Sequence, residues 1–279
     1  MGRVDLHIHT TASDGVLSPA QVVEAAVEKG LHAIAITDHD TTDGIDEALE
    51  AAARSELEVI PGIELSTEQG NWELHVLGYY LDHHDSRLQE RLGVLRRARR
   101  ERAQKMVGKL AGMGLPVPWE SVLHIAGDSS SFGRPHVAQA LCDSGFVSSI
   151  DEAFDRYIGF RGPAYVARYK LSPEEALQII SCAGGLPVLA HPWRHEDMVP
   201  RLASRGLVGL EVYYPTYSSD ESQALAGLAQ RYGLIATGGT DFHGFGDETP
   251  HLLGEVQVPE ESLQRLRALA NRKGPEQPI

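Results

Sequence analysis

Short apolar runs alternate with amphipathic stretches along this chain, and each run closes on polar residues. Runs near 3–9, 32–38, 57–65, 72–80, 186–191, 208–214 and 234–240 read as strands. Patterns of helical period lie near 18–29, 42–55, 172–183, 196–205 and 219–232. Ser18-Pro19 and Ser172-Pro173 mark two helix starts, because a hydroxyl caps the first turn and proline at the first helical position gives up an N–H that has no partner there anyway. Strands alternating with helices imply an α/β fold with a mainly parallel sheet. No Gly-x-Gly-x-x-Gly turn opens the first helix, so the pattern favours a barrel over an open, doubly wound sheet.

The alternation breaks between about 85 and 170. A charged helical stretch over 88–110 runs into Gly112-Met113-Gly114 and Pro116-Val117-Pro118, and further helical stretches cover roughly 135–144 and 150–157. This predicts a barrel built from 1–99 and 166–279, with a small helical insertion over 100–165 placed above the strand ends. The segment 274–278 reads as a disordered tail.

Candidate chemistry gathers where the runs end. In Val4-Asp5-Leu6-His7-Ile8-His9-Thr10 the two histidines are two residues apart, so on a strand both leave the same face. His39 follows the second run, Glu64 closes the third, His75 falls in the fourth, His191 follows the fifth, and Asp241 and His243 follow the last. Asp14 lies in the loop after the first strand, where beside Gly15 it also suits a plain turn. In parallel α/β folds the carboxyl ends of the strands share one face, where ligands bind. Six histidines and three carboxylates on one face would repel or go unsatisfied without cations. His7, His9, Asp14, His39, Glu64, His75, His191, Asp241 and His243 are therefore candidate metal ligands. Nine exceed one tetrahedral site, so two or three ions are expected, with Glu64 the natural bridge. A His and carboxylate set without cysteine suits Mn²⁺, Zn²⁺, Fe²⁺ or Mg²⁺ without ranking them, and Mn²⁺ is the first expectation.

Composition narrows the class. With 279 residues, 42% of them hydrophobic, the chain can bury a large core, yet no apolar run approaches a membrane span. A strand begins almost at once without a basic or apolar leader, and Leu6 stands where a myristoylation signal needs Ser or Thr, so a cytoplasmic protein is expected. Cys142 and Cys182, the two cysteines, are expected as buried reduced thiols. A net charge of −14 argues against nucleic-acid binding through a broad basic surface, but bound divalent cations can reverse the sign locally and admit a phosphorylated substrate. Nothing in the sequence marks an obligate protein partner.

His7-Ile8-His9, Thr37-Asp38-His39, Ala190-His191-Pro192 and Asp241-Phe242-His243 together resemble the four motifs of the polymerase and histidinol phosphatase (PHP) superfamily. The resemblance implies a distorted (β/α)7 PHP barrel and a multinuclear metal site that cleaves phosphate esters. Two close cations lower the pKa of a shared water and so supply hydroxide without a side-chain base. Within Phe132-Gly133-Arg134-Pro135-His136-Val137-Ala138, the Arg-x-His-x-Ala pattern resembles the insertion motif of the subfamily that holds nucleoside 3′,5′-bisphosphate phosphatases and the TrpH-type enzymes that trim RNA from its 5′ end. That likeness implies that Arg134 and His136 contact substrate phosphates, with His136 placed to protonate the leaving oxygen. A helix start also attracts phosphate in its own right, and an arginine fork grips it with two bonds.

Arg194 is a further candidate for phosphate contact. Lys170 stands where some relatives carry an aromatic residue that could stack on a base, which leaves room for a sugar-phosphate substrate. Tyr213, Tyr214 and Tyr217 offer either a stacking wall or rim packing with their hydroxyls in water. The run Arg96-Arg97-Ala98-Arg99-Arg100-Glu101-Arg102 is either a solvated helix face or an electrostatic guide for short RNA. The expected function is hydrolysis of nucleoside 3′,5′-bisphosphates and of 5′-phosphorylated short RNA. The alternatives are a phosphatase or cyclic phosphodiesterase of small sugar phosphates, a histidinol phosphate phosphatase, and a non-catalytic phosphate sensor.

Overall fold

The computed structural model describes residues 3–70, 72–127, 132–167, 169–244 and 252–273. The tail expected at 274–278 lies outside the described residues. Seven strands form one sheet in chain order. They are β1 (Arg3–Ile8), β2 (Leu31–Ile36), β3 (Glu58–Gln69), β4 (Trp72–Tyr79), β5 (Leu186–Leu189), β6 (Gly209–Tyr213) and β7 (Ile235–Gly238). The sheet closes on itself at one rim: Ile8 bridges Phe242, with the His9 N–H donating to the Phe242 carbonyl at 2.8 Å. Close approach there depends on Gly239, where a Cβ would lie 2.4 Å from the His7 nitrogen. The result is a distorted seven-stranded α/β barrel.

β4 departs from the mainly parallel expectation. It pairs antiparallel with both β3 and β5, while the other neighbouring pairs are parallel. β3 runs on past the barrel, and β4 returns beside it as a projecting hairpin. The reversal explains how His75 reaches the common mouth from inside a strand: β4 enters at that end, and the Ala190 N–H at the end of β5 donates to the His75 carbonyl at 3.0 Å.

α1 (Pro19–Glu28) and α2 (Ile45–Ala52) cover β1 to β3 through Val22, Ala26, Ile45 and Ala48. The Ser18 cap is present and is reinforced by Gln21, whose side chain accepts from the Ser18 backbone. Because β4 ends away from the mouth, the chain must travel back, and α3 (Ser86–Gly112) does so. At 1.5 Å per residue it is roughly 40 Å long. Its first half packs Leu88, Leu92 and Leu95 on the barrel, and its second half puts Ala103 and Leu110 into another core. Deleting a side chain such as the fully buried Leu92 would cost about 2–5 kcal/mol.

That second core also holds α4 (Trp119–Ala126), α5 (Arg134–Asp143), α6 (Ile150–Ala153) and the π-helical turn Phe154–Ile158 that extends α6, through Val122, Leu141, Ala153 and Ile158. The chain then returns through α7 (Pro173–Cys182), capped by Ser172 with Glu175, and the helix expected over 196–205 appears as a 3-10 turn at Glu196–Met198 that runs into α8 (Val199–Ala203). α9 (Ser219–Arg231) and α10 (Glu260–Lys273) complete the helices among the described residues; neither α4 nor α10 was expected from sequence. Leu263 and Leu266 of α10 join Val4, Leu6, Leu77 and Tyr79 in one core. The cysteines depart from expectation: Cys142 is half-buried, and Cys182 is exposed where α7 ends. Among the described residues no helix is long and apolar enough to cross a membrane.

Candidate metal centre

All nine candidate ligands meet at the barrel mouth. Glu64 is the hub. Its Oε2 lies 3.3 Å from His7 Nε2, 3.2 Å from His9 Nε2 and 3.0 Å from His39 Nδ1, while its Oε1 lies 2.8 Å from His75 Nδ1 and 3.4 Å from His191 Nε2. Asp241 Oδ1 adds contacts of 3.3 Å to His7 and 3.0 Å to His9. Asp14 faces His243 at 3.5 Å and His9 at 3.7 Å. Three overlapping groups have cation-holding geometry: His7, His9, Glu64 and Asp241; His9, Asp14, His39 and His243; and His39, Glu64 and His75.

The donor atoms test whether a metal fits. His7 Nε2, both nitrogens of His9, His39 Nδ1, Asp14 Oδ1 and Glu64 Oε2 are buried with no hydrogen-bond partner. Leaving such groups unpaired would cost about 1–3 kcal/mol each. A set of orphaned imidazole lone pairs and carboxylate oxygens aimed at one another is what divalent cations satisfy.

Residues behind the ligands fix their aim, and several were not singled out from sequence. Glu211, buried within β6, accepts from His7 Nδ1 at 2.9 Å, which leaves the His7 Nε2 lone pair facing the centre. The same carboxylate accepts the His191 N–H at 2.7 Å. Asp5 accepts from the Thr240 N–H at 2.9 Å, the Thr240 hydroxyl at 2.6 Å and the Gly254 N–H at 2.8 Å, and so ties down the loop that carries Asp241. Asp38 does the same for the Asp14 loop, accepting from the Thr10 N–H at 2.8 Å and the Ser13 hydroxyl at 2.5 Å. His191, Asp241 and Asp40 hold left-handed backbone, with φ of 29°, 52° and 54°. Such strain costs about 1–3 kcal/mol per residue and persists where the surroundings over-determine it.

Electrostatics follow from this packing. Burial raises carboxyl pKa values, yet Glu64 is held well below its usual range by His39, His75 and His7, and Asp241 by His7, His9 and His243. Burial works to lower His9, but Asp241 and Glu64 prevail and push it up to about 10. His39 goes the other way: burial holds it well below its usual value, reinforced by His9 and Arg99 against Glu64 and Asp14.

Arg99 corrects the reading of the basic run as a solvated face. Its side chain is largely buried on α3 and ion-paired with Asp40, and it donates to Ser66 Oγ at 2.6 Å. Arg102 is buried too, donating to the Val166 carbonyl at 2.7 Å, and Arg96 pairs with Asp43 at 3.5 Å. Arg97 and Arg100 are the exposed arginines of this run.

The insertion touches the centre at the start of α5. A Cβ on Gly133 would lie 3.0 Å from Asp14 Oδ2. His136 is buried; its Nδ1 accepts the Gly133 N–H at 2.9 Å, and its ring also hydrogen-bonds the Ser13 backbone. Burial lowers the His136 pKa, with Asp14 opposing and Arg99 reinforcing. Arg134 donates to Glu73 Oε2 of the projecting hairpin at 2.7 Å and lies over the Phe154 ring. Arg102 and the Tyr165 hydroxyl approach the other oxygen of Glu73, at 3.6 and 3.4 Å. Arg194 and Lys170 are exposed, and the charge of Arg194 falls on Glu221. Two of the three rim tyrosines have engaged hydroxyls: Tyr214 donates to Asp241 Oδ2 at 2.9 Å, and Tyr217 accepts the Trp193 N–H at 3.2 Å.

A family model described as the PHP domain matches residues 5–114. The 3′,5′-nucleoside bisphosphate phosphatase of Chromobacterium violaceum is 34% identical over 254 residues, covering 88% of this chain and 89% of that protein. The 5′-3′ exoribonuclease Rnm of Escherichia coli is 36% identical over 248 residues, covering 86% and 84%. Among solved structures, a Bifidobacterium adolescentis protein assigned as a metal-dependent phosphoesterase superposes with a TM-score of 0.88 at 30% identity, covering 96% of both chains.

Proposed function

The chain belongs to the PHP domain family, and from that premise we propose that it is a cytoplasmic, metal-dependent phosphoesterase acting on nucleoside 3′,5′-bisphosphates and on 5′-phosphorylated short RNA. One observation carries this reading above the others: the first turn of α5, with Gly133, Arg134 and His136, sits directly against Asp14 of the ligand cluster. A helix N-terminus and an arginine attract phosphate, so a phosphate group held there lies beside the donors.

His7, His9, Asp14, His39, Glu64, His75, His191, Asp241 and His243 would hold two or three divalent ions, Mn²⁺ first among Mn²⁺, Zn²⁺, Fe²⁺ and Mg²⁺. Bound there, such ions supply an activated water and neutralise charge on the phosphoryl oxygens. The protein's own part is to fix and to select. Glu211 sets the His7 tautomer, and Asp5 and Asp38 hold the loops of Asp241 and Asp14. Arg134 grips a substrate phosphate from the insertion over 100–165, which acts as the cap. His136 holds the α5 start through Gly133, and donating a proton to a leaving oxygen would require its ring to release the Ser13 backbone. Lys170 and Arg194, both solvent-facing, add positive charge for a longer or second phosphate.

A phosphate-release screen with Mn²⁺ over 3′,5′-bisphosphates, 5′-phosphorylated oligoribonucleotides, sugar phosphates and histidinol phosphate tests the reading. Preference for the first two is expected. Preference for a sugar phosphate or histidinol phosphate overturns the substrate assignment, and no release from any of them overturns the phosphoesterase itself.

A further inference from the structure

A second set of ligand-type side chains lies away from the barrel mouth cluster. Asp46 stands in the first turn of α2, and His83 with His84 forms the turn between β4 and α3. Adjacent residues on a strand point to opposite faces. Here the turn brings both imidazoles to one side. The His84 N–H donates to Asp82 Oδ1 at 3.0 Å and the Asp85 N–H to the Asp82 carbonyl at 3.1 Å, which leaves the two ring centroids 4.1 Å apart. His83 Nε2 and His84 Nε2 lie 2.9 and 3.4 Å from one oxygen, Asp46 Oδ1. The three donor atoms all lie within 4.8 Å of one another.

The placement is built rather than incidental to two mobile side chains. The Gln89 amide donates to the His83 carbonyl at 2.6 Å and to Thr42 Oγ1 at 2.7 Å, tying the turn to the segment that leads into α2. The His83 side chain is only 14% exposed and so is backed by protein, whereas His84 and Asp46, at 68% and 67%, leave open positions for water.

We propose that Asp46, His83 and His84 form a separate site for one divalent transition ion of the Zn²⁺ class. Two imidazole nitrogens and one carboxylate oxygen, with solvent in the fourth position, meet the tetrahedral preference of zinc. Calcium and magnesium need more oxygen ligands than this cluster offers, and no thiolate is present to select Cu(I). The bound ion clips the start of α2 to a turn 37 residues further along the chain. The site requires nothing of the phosphoesterase reading, so it survives or fails independently.

Equilibrium dialysis of the full chain against Zn²⁺, with bound metal counted by mass spectrometry, tests it. The wild type is expected to retain one equivalent more than the His83→Ala/His84→Ala double variant, and equal retention overturns the site. Because His83 is partly packed, His84→Ala alone provides a second measurement on an exposed residue. Loss of this direct ligand is expected to weaken the added equivalent by about tenfold or more, since even outer partners of ligands are worth that much. An unchanged affinity in a variant with a wild-type circular dichroism spectrum overturns the proposal.

Discussion

The candidate ligand cluster and the proposed cap beside it are both dense in charge, but they are held in different ways. Cluster residues ride on strands and strand-end loops whose backs are pinned by Glu211, Asp5 and Asp38, all of them buried in the barrel. Arg134, Arg102 and Glu73 instead ride on an insertion with its own small core and on a hairpin that projects past the sheet. Rigid placement suits groups that must act on one reacting centre, where small misplacements are costly. A satellite core suits selection, because it can change without disturbing the strands. The difference teaches that the two regions should respond to mutation in different observables: turnover and metal content for one, KM for the other.

The largest effect is expected where the cluster itself is broken. Asp241→Asn removes a charge that contacts both His7 and His9, and turnover should fall by about 10³-fold, the upper end of the range for losing one preorganised electrostatic group. Stripping the ions with chelator should abolish activity, and adding Mn²⁺ should restore it; activity that persists in metal-free protein would remove the basis of the comparison. The stripped protein should also show a telling pH dependence. His9, raised from 6.5 to about 10, contributes stability that is fully present below 6.5 and lost as pH climbs through 10. The Tm of stripped protein should therefore fall across that window, while the loaded protein, whose ligands have exchanged protons for cations, should stay nearly level. A flat Tm in both forms would show that His9 is not carrying a proton between the carboxylates.

Next in size is Glu211→Gln. It keeps the shape but weakens the hold on His7 and on the His191 backbone, and metal affinity should drop by about 10–100-fold with the fold intact. Titration of stripped protein with Mn²⁺ measures this directly. Unchanged affinity would mean that the strand behind His7 suffices and Glu211 is only a buried acid with satisfied partners.

How much of this contrast was legible in the sequence depends on whether the signal was local. Most of the candidate ligands were readable because they sit at motifs next to apolar runs, and the carboxyl ends of parallel strands gather on one face, whereas His75 joins them from inside the antiparallel β4. Glu211 was not, since an acid inside Gly209-Leu210-Glu211-Val212-Tyr213 looks like a strand interruption until His7 is seen 204 residues away. The same holds for Arg99, which reads as one of five arginines on a solvated helix until folding brings Asp40 to it across 59 residues. The direction of β4 was hidden for another reason. A run of apolar residues has the same periodicity in either direction, and only pairing reveals that Trp72–Tyr79 runs backward.

Effects on the cap should be smaller and should appear in KM. Arg134→Ala removes a charged donor from the proposed phosphate position, and charge-assisted hydrogen bonds of this kind are worth about 1.5–3 kcal/mol. KM for a 3′,5′-bisphosphate should rise by about tenfold or more with metal content unchanged. If KM holds and turnover falls instead, Arg134 belongs functionally to the centre and the division fails.

The finest test is Glu73→Gln, where two effects oppose each other. The carboxylate faces two guanidiniums, Arg134 at 2.7 Å and Arg102 at 3.6 Å, whose positive charge would attract a substrate phosphate. Removing the negative charge adds to that attraction, and with the two side chains only 16% and 19% exposed, solvent screens the gain incompletely. It also frees Arg134 from the contact that orients it over Phe154, and a two-bond grip on phosphate depends on orientation. Loss of orientation should win narrowly: KM should rise by about threefold, less than 1 kcal/mol, with turnover unchanged. A lower KM would show that Glu73 competes with substrate for Arg134, making the hairpin a gate on the cap instead of its brace.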